Sequence, residues 1–467
     1  MESINYWEVF HLQIKEYLKS ICEQIKYKPI REEISNEIEA HIIDLKQEYI
    51  NDGIKEEDAE QKAINQMGNA EEIGKKLNQI HRPRVDFKLI FITIILLGFG
   101  FLVSFIRTSQ LVTNGNEANS MTKYIFFLII GVVLSVPIYF IDYRKILKYS
   151  NILYGIASGI ILWTLLFGVN VNVIPHIYIS PTINSISPYT IAVPLYIISF
   201  VGFINNLKQE SEIKILQKYN INIKLVKVIV LSLISLYLLF LIPSITSVFI
   251  LSLTYLIIGT VKIIKSKENK TKNILMLWGI PIIIGFILGI YLLVGVPYIA
   301  DRFEVTFNPE SDASGMGWLG VNRKIIINSA QLYGEADDMS TAIDLFDEGT
   351  GFAFISILAH YGWIVAILVT VSILLLSIKL IINAIKIKEN CGKSLIIGIS
   401  SMFILQSIFN ILMNLNLWIE SNYNLPFVSY GGVNLIINLM CLSLILSVYR
   451  KKDLIFENKE RREKVSF

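Results

Sequence analysis

The residues able to do chemistry gather in one stretch of this chain. Between Pro297 and Thr350 stand ten carboxylates (Asp301, Glu304, Glu310, Asp312, Glu335, Asp337, Asp338, Asp344, Asp347 and Glu348) against Arg302, Arg323 and Lys324. Carboxylates move protons, while guanidinium and ammonium groups hold anions, so a site here would work by proton transfer and anion contact. Other chemistries have less to stand on. Cys22, Cys391 and Cys441 are scattered, without the spacing of a disulfide framework or a zinc site. The five histidines form no HExxH or similar cluster. No metal site is expected, the sequence names no cofactor, and a net charge of +3 gives no reason to expect nucleic acid as a partner.

The elements that must position this stretch are membrane helices. The chain has 467 residues, 53% of them hydrophobic and only 17% charged, where a soluble protein carries about 25% charge. The deficit lies in runs of roughly 18 to 24 nearly uncharged residues, long enough to cross a bilayer as helix. Ten spans are expected, near 89–106, 124–142, 151–169, 190–206, 225–242, 245–261, 274–296, 352–378, 394–417 and 431–449. Bases follow the even-numbered spans: Arg144, Lys145 and Lys148; Lys208 to Lys224; Lys262 to Lys272; Lys386, Lys388 and Lys393; Arg450 to Lys452. The positive-inside rule makes that face cytoplasmic, so both termini are expected inside and the segment 297–351 outside the cell membrane. A connection of that length is often functional.

Residues 1–82 read as a small cytoplasmic helical domain, with no secretory leader and the first apolar run only near Leu89. Ile30, Ile34, Ile38, Ile42, Leu45 and Tyr49 recur every three or four residues, the stripe of an amphipathic helix that Gly53 would end. A second helix is expected to Met67, and a third from a capping-box-like Asn69 and Glu72 to Ile80. The expected fold is therefore all-α: this domain, a polytopic membrane domain over 83–450, and a cytoplasmic tail over 451–467.

The segment LPFVSYGGVN, Leu425 to Asn434, leads into an apolar span carrying Asn438. It resembles the LPFxSYGGSS motif of the SEDS family (FtsW, RodA and SpoVE), and Leu425 to Val433 departs from that motif only at its last residue. Gln406 and Asn410 lie where the family places polar residues in span nine, Asp142-Tyr143-Arg144 resembles its basic turn between spans two and three, and FNPESDASGMGW from Phe307 to Trp318 resembles part of its large outer loop. Residues 1–82 in turn resemble the helical prefix domain of some bacterial permeases and regulators, which implies docking or regulation.

The SEDS resemblance implies a role in bacterial division, cell shape or sporulation through peptidoglycan synthesis. It implies polymerisation of lipid II or a similar undecaprenyl-linked sugar, a class B penicillin-binding protein as partner, and surrounding membrane lipids. Such chemistry needs a carboxylate base and cations or donors for the departing phosphates. Arg302, Arg323 and Lys324 are the expected cations, and Ser429, Gly431 and Gly432 are further expected substrate contacts. The family's base is an Asp just before span eight; in LFDEGTGF its position is Gly351, which cannot take a proton. Asp347 and Glu348, about one helical turn upstream, are the expected catalytic substitutes, although at the head of a span they would also complement the helix dipole. Ala359-His360 and Ser187-Pro188-Tyr189-Thr190 replace charged family motifs in the same way. Two other readings follow: an inactive SEDS paralogue that scaffolds or regulates wall synthases, and a transporter of lipid-linked precursors, the latter disfavoured by spans nearly free of charge.

Overall fold

The computed structural model describes residues 4–80, 84–113, 120–171, 174–180, 184–205, 223–264, 297–338, 350–421, 423–429 and 431–452, with scattered positions between 271 and 295. The chain divides into two compact units, Met1–Val85 with Tyr449–Phe467, and Asp86–Val448.

The first unit is built on four helices, α1 (Ile4–Gln24), α2 (Arg31–Asn51), α3 (Glu56–Met67) and α4 (Ala70–Ile80). The stripe read from sequence faces inward: Ile30, Ile34, Ile38 and Ile42 are buried with Ile14, Leu18 and Ile21 of α1, with Ile25 just after it, and with Ala63 of α3. Gly53 follows α2 in a positive-φ conformation (φ 85°), and the Asn69 side chain accepts hydrogen bonds from the amides of Glu71 and Glu72 at the head of α4. Lys46 bridges Glu56 (3.0 Å) and the buried Glu60 (3.2 Å). Helix α1 goes beyond the sequence reading, which had begun its helices at Ile30.

The second unit is a bundle of apolar helices: α5 (Phe87–Thr113), α6 (Ser120–Phe140), the short α7 (Tyr143–Lys148), α8 (Ser150–Phe167), α9 (Pro188–Asn205), α10 (Ile223–Leu241), α11 (Ile245–Ile264), α14 (Ala353–Lys386), α15 (Asn390–Asn414) and α16 (Gly432–Arg450), with α12 (Pro297–Phe307) and α13 (Trp318–Ser329) in the long connection before α14. Eight helices among the described residues are long and apolar enough to cross a membrane, and α10 supplies a shorter apolar stretch, Val226–Leu241. The seventh expected span, 274–296, falls largely outside the described residues. Burial separates centre from periphery: the apolar window of α9 is 72% buried and that of α15 67%, against 11% for α6. Phe126, Ile129 and Val133 of α6 stay exposed, as side chains facing lipid would.

Three departures from the sequence reading shape this unit. The connection before α9 carries a small antiparallel sheet, β1 (Val169–Val171), β2 (Ile174–Ser180) and β3 (Asn184–Ile186), in that order, with Val169 opposite His176 and Ile177 opposite Ile186. Helix α14 is broken at Gly362 (φ 79°, ψ −177°), a region of backbone space that side chains other than glycine's do not enter without strain. The break frees the amides of Trp363 and Ile364 to donate to the carbonyls of Gln331 and Leu332, anchoring the outer connection to the span. Thirdly, Asp86 opens α5 from a buried position: it accepts from Lys379 (2.8 Å) and Asn383 (2.7 Å) of α14 and caps the amide of Leu89 (3.2 Å).

A β-carbon at Gly362 would lie 2.6 Å from the Gln331 carbonyl oxygen. Gly362→Ala is therefore expected to lower stability by about 2 kcal/mol or more, read as a lower midpoint of thermal unfolding in detergent. Burial works against ionisation of Asp86, but the bonds from Lys379, Asn383 and Leu89 prevail and hold its carboxyl below the ordinary carboxylate value. A depressed value stabilises above the unfolded pKa and is lost as pH falls through the folded one. The unfolding midpoint is expected to fall with acidification below about pH 4, with a smaller acid dependence in Asp86→Asn.

Candidate functional site

The site grows from one face of α15. Gln406, Asn410 and Asn414 recur every fourth residue and are all buried, so they form a polar row inside the bundle. Such side chains persist in an apolar interior only by satisfying something. Asn410 donates to the carbonyl of Gly351 (2.9 Å) and to that of Tyr423 (2.5 Å), and Asn414 adds a bond to Gly351 (3.1 Å). Two segments, the 3-10 turn Thr350–Phe352 ahead of α14 and the irregular run 423–425, are thereby pinned to one helix. They come close: a β-carbon at Gly351 would lie 3.6 Å from the carbonyl oxygens of both Ser421 and Tyr423.

The motif after α15 folds back on itself. Ser429 Oγ accepts from the amide of Leu425 (2.9 Å) while the Ser429 amide donates to the Leu425 carbonyl (3.1 Å). Phe427, at φ 66°, is fully buried against Phe403. Gly432 begins α16 where a β-carbon would strike the ring of Phe127 on α6 at 2.4 Å. Ser429 is 2% exposed, so it and Gly432 shape the segment, while Gly431, half-buried, offers its carbonyl to the Leu435 amide. Inside the bundle, Tyr189 and Thr190 of α9, Gln406, Tyr423, and Asn434 and Asn438 of α16 line a small cavity together with the apolar Val193, Pro194 and Met402. The Tyr189 and Tyr423 rings stack at 5.0 Å. The buried Asn438 side-chain nitrogen has no hydrogen-bond partner among the described residues.

Helices α12 and α13 bring cations to the same place. Arg302 donates to the carbonyl of Glu420 (2.8 Å). Arg323, 4% exposed, donates to Asn416 Oδ1 (2.8 Å) and forms an ion pair with Glu420 Oε2 (2.6 Å), with its guanidinium 5.7 Å from the ring centre of Phe352. Lys324 points elsewhere, to Glu310 at 2.6 Å in solvent, and that contact holds the Glu310 carboxyl below its ordinary range. Of the residues expected from sequence, Arg302 and Arg323 thus converge, Ser429, Gly431 and Gly432 build the adjoining segment, and Lys324 stands apart. Asp347 and Glu348 lie outside the described residues. Among the described residues no group of three His, Cys, Asp or Glu could hold a metal ion.

Glu420, the acid on which both arginines converge, was missed in the sequence. Its signal was nonetheless present, since Glu420 is the only charged residue between Lys393 and Arg450.

Apolar spans around a buried polar row, with a structured long connection packed at one end, define a multi-pass α-helical membrane protein. The chain matches the FtsW/RodA/SpoVE cell cycle protein family over residues 86–454 and belongs to that family. Relatives include a probable peptidoglycan glycosyltransferase FtsW of Trichlorobacter lovleyi, 26% identical over 161 residues, which are 34% of this chain and 42% of that protein. The stage V sporulation protein E of Bacillus subtilis is 27% identical over 161 residues, 34% of this chain and 44% of its own length. The matched region thus spans about two fifths of these relatives. Two solved structures share the fold: a chain of a peptidoglycan synthase complex that coordinates polymerisation and crosslinking (TM-score 0.60, 18% identity, 79% of this chain and 98% of that one), and the rod shape determining protein RodA of Thermus thermophilus (TM-score 0.51, 17% identity, 79% and 97%).

Truncating Asn410 would leave the Tyr423 carbonyl without its bond in an apolar interior. Asn410→Ala is expected to cost about 1–3 kcal/mol, seen as a lower unfolding midpoint, with Asn414→Ala costing less because Gly351 keeps its bond from Asn410.

Proposed function

We propose that this protein works in bacterial peptidoglycan synthesis as a glycosyltransferase, extending glycan strands from lipid II or a similar undecaprenyl-linked sugar beside a class B penicillin-binding protein. One observation carries the reading: Arg302 and Arg323 meet at Glu420, Arg323 lying over Phe352 beside Gly351, next to the segment built by the family's own motif. An amphiphilic donor fits such a place, with its chain in the bilayer and its pyrophosphate and sugars at the outer surface.

The reaction would proceed by attack of an acceptor hydroxyl on the donor's anomeric carbon as the bond to the lipid pyrophosphate breaks. Arg302 is half-buried and would meet departing phosphate oxygens, whereas Arg323 acts from beneath by fixing Asn416 and Glu420. The distribution of bases supports a topology with this face outside the cell and both termini in the cytoplasm. Gly351 favours a second reading, a paralogue that binds the same lipid or synthase without turning it over and regulates wall synthesis through its first 82 residues.

The test is polymerisation of labelled lipid II by the purified full-length protein, alone and with class B penicillin-binding proteins. Glycan strands are expected, with Arg302→Ala lowering the initial rate at least about tenfold. Folded protein that yields no strands with any partner would overturn the enzymatic reading and leave the regulatory one.

A further inference from the structure

The geometry points to Glu420 as the catalytic carboxylate of this site, the group that takes the acceptor hydroxyl's proton. The inference rests on the glycosyltransferase reading and names a base among the described residues, where Gly351 has no side chain to receive a proton; Asp347 and Glu348, the bases expected from sequence, lie outside those residues.

The position argues for it from two sides. The Ser421 carbonyl, one residue beyond Glu420, lies 3.6 Å from where a β-carbon at Gly351 would be. From the other direction, Arg323 holds the Glu420 carboxylate at 2.6 Å and spreads its guanidinium over the ring of Phe352, the residue after Gly351. One sugar placed at the Gly351 turn is therefore within reach of this carboxylate. The Glu420 side chain is 31% exposed while that of Arg323 is 5% exposed, so the acid opens outward and the base that orients it is shut in. Three other carboxylates of the long connection, Glu310, Asp312 and Asp337, are engaged with Lys324, the amide of Met316 and the side chain of Gln331.

The pairing suits the task. A carboxylate gripped by a guanidinium holds one orientation, as a group that must meet a hydroxyl at hydrogen-bond distance needs. In the step, the acceptor oxygen forms its bond to the anomeric carbon, its proton passes to a carboxylate oxygen of Glu420, and the bond to the leaving oxygen breaks with its electron pair going to the lipid pyrophosphate. Arg302, bound to the Glu420 carbonyl, fixes the backbone from which the carboxylate projects.

The experiment is lipid II polymerisation by the full chain with its active partner, comparing wild type, Glu420→Gln, Glu420→Asp, and Glu420→Gln combined with Gly351→Asp. Glutamine keeps an oxygen for Arg323 and should leave the unfolding midpoint near wild type. Glu420→Gln is expected to lose at least about a hundredfold in rate, with Glu420→Asp in between. A side chain at position 351 meets only ordinary van der Waals distances, so Gly351→Asp is expected to restore at least about tenfold to Glu420→Gln by offering a carboxylate from the facing turn. Activity in Glu420→Gln within about threefold of wild type would overturn the assignment while leaving the proposed function standing. So would a loss that Gly351→Asp cannot rescue, which would make Glu420 an anchor for Arg323, or a loss confined to Asp347→Ala or Glu348→Ala. A wild-type protein silent with every partner sinks the glycosyltransferase reading itself and this assignment with it.

Discussion

Backbone that is not helical is costly inside an apolar bundle, because its amides and carbonyls have no water to turn to. One end of this membrane domain sets two segments outside its α-helices side by side, the 3-10 turn at Gly351 and the run through Tyr423 to Ser429, and the arrangement of the site follows from how they are satisfied. Asn410 takes a carbonyl from each with a single amide. Asn414 doubles the bond to Gly351, and Ser429 closes the second segment onto Leu425 in both directions. With those carbonyls held, the chain can run irregularly at a depth where it would otherwise be helix, and an irregular backbone is what brings residues from opposite sides of a span to one point. The polar row on α15 is therefore interhelical glue with a specific purpose.

The same reasoning ranks the ion pairs. Lys324 and Glu310 meet in solvent, with side chains 52% and 65% exposed, where pairing is worth little because water already solvates both. Arg323 is buried, and desolvating its guanidinium is repaid only if all its bonds are good. It has three partners of different kinds: the amide oxygen of Asn416, the carboxylate of Glu420 and the face of Phe352. Asn416 itself sits at φ 58° and donates to the Gly320 carbonyl, so the arginine, the acid and the positive-φ residue between helix and motif form one unit. Asp86, Lys379 and Asn383 repeat the arrangement at the head of α5, where a cap, a cation and an amide share one buried acid.

Periodicity made most of the helices legible. The isoleucine stripe of α2, the stop at Gly53 and the apolar runs of the spans all come from local pattern; outside 274–296, most of which is not described, the structure has a helix at each expected span, with α5 and α14 running several residues further. What the pattern hid is non-local or short. The three-stranded sheet has strands of three to seven residues, too brief for alternation to stand out in an apolar chain. The break in α14 depends on the carbonyls of Gln331 and Leu332 arriving from another segment, and a single glycine in a run of helix formers does not announce it. Arg302 and Arg323 were identifiable as cations of the outer connection, but the acid they share comes from a loop near the other end of the domain. Separation in sequence conceals such a partner, and only its isolation in an uncharged stretch marked it.

That isolation also bears on why Glu420 is there. A buried arginine paired with a carboxylate is weak evidence for stability, since apolar residues of similar volume often do as well or better. Here the pair stands where a long uncharged stretch could have continued, and its acid opens to the outside. Were fold the sole requirement at this point, the polar row of α15 would already meet it, because the carbonyls of Gly351 and Tyr423 are satisfied without any charge. A charge kept where the backbone does not need it, turned toward solvent and held in one orientation from behind, is placed for something that arrives from outside.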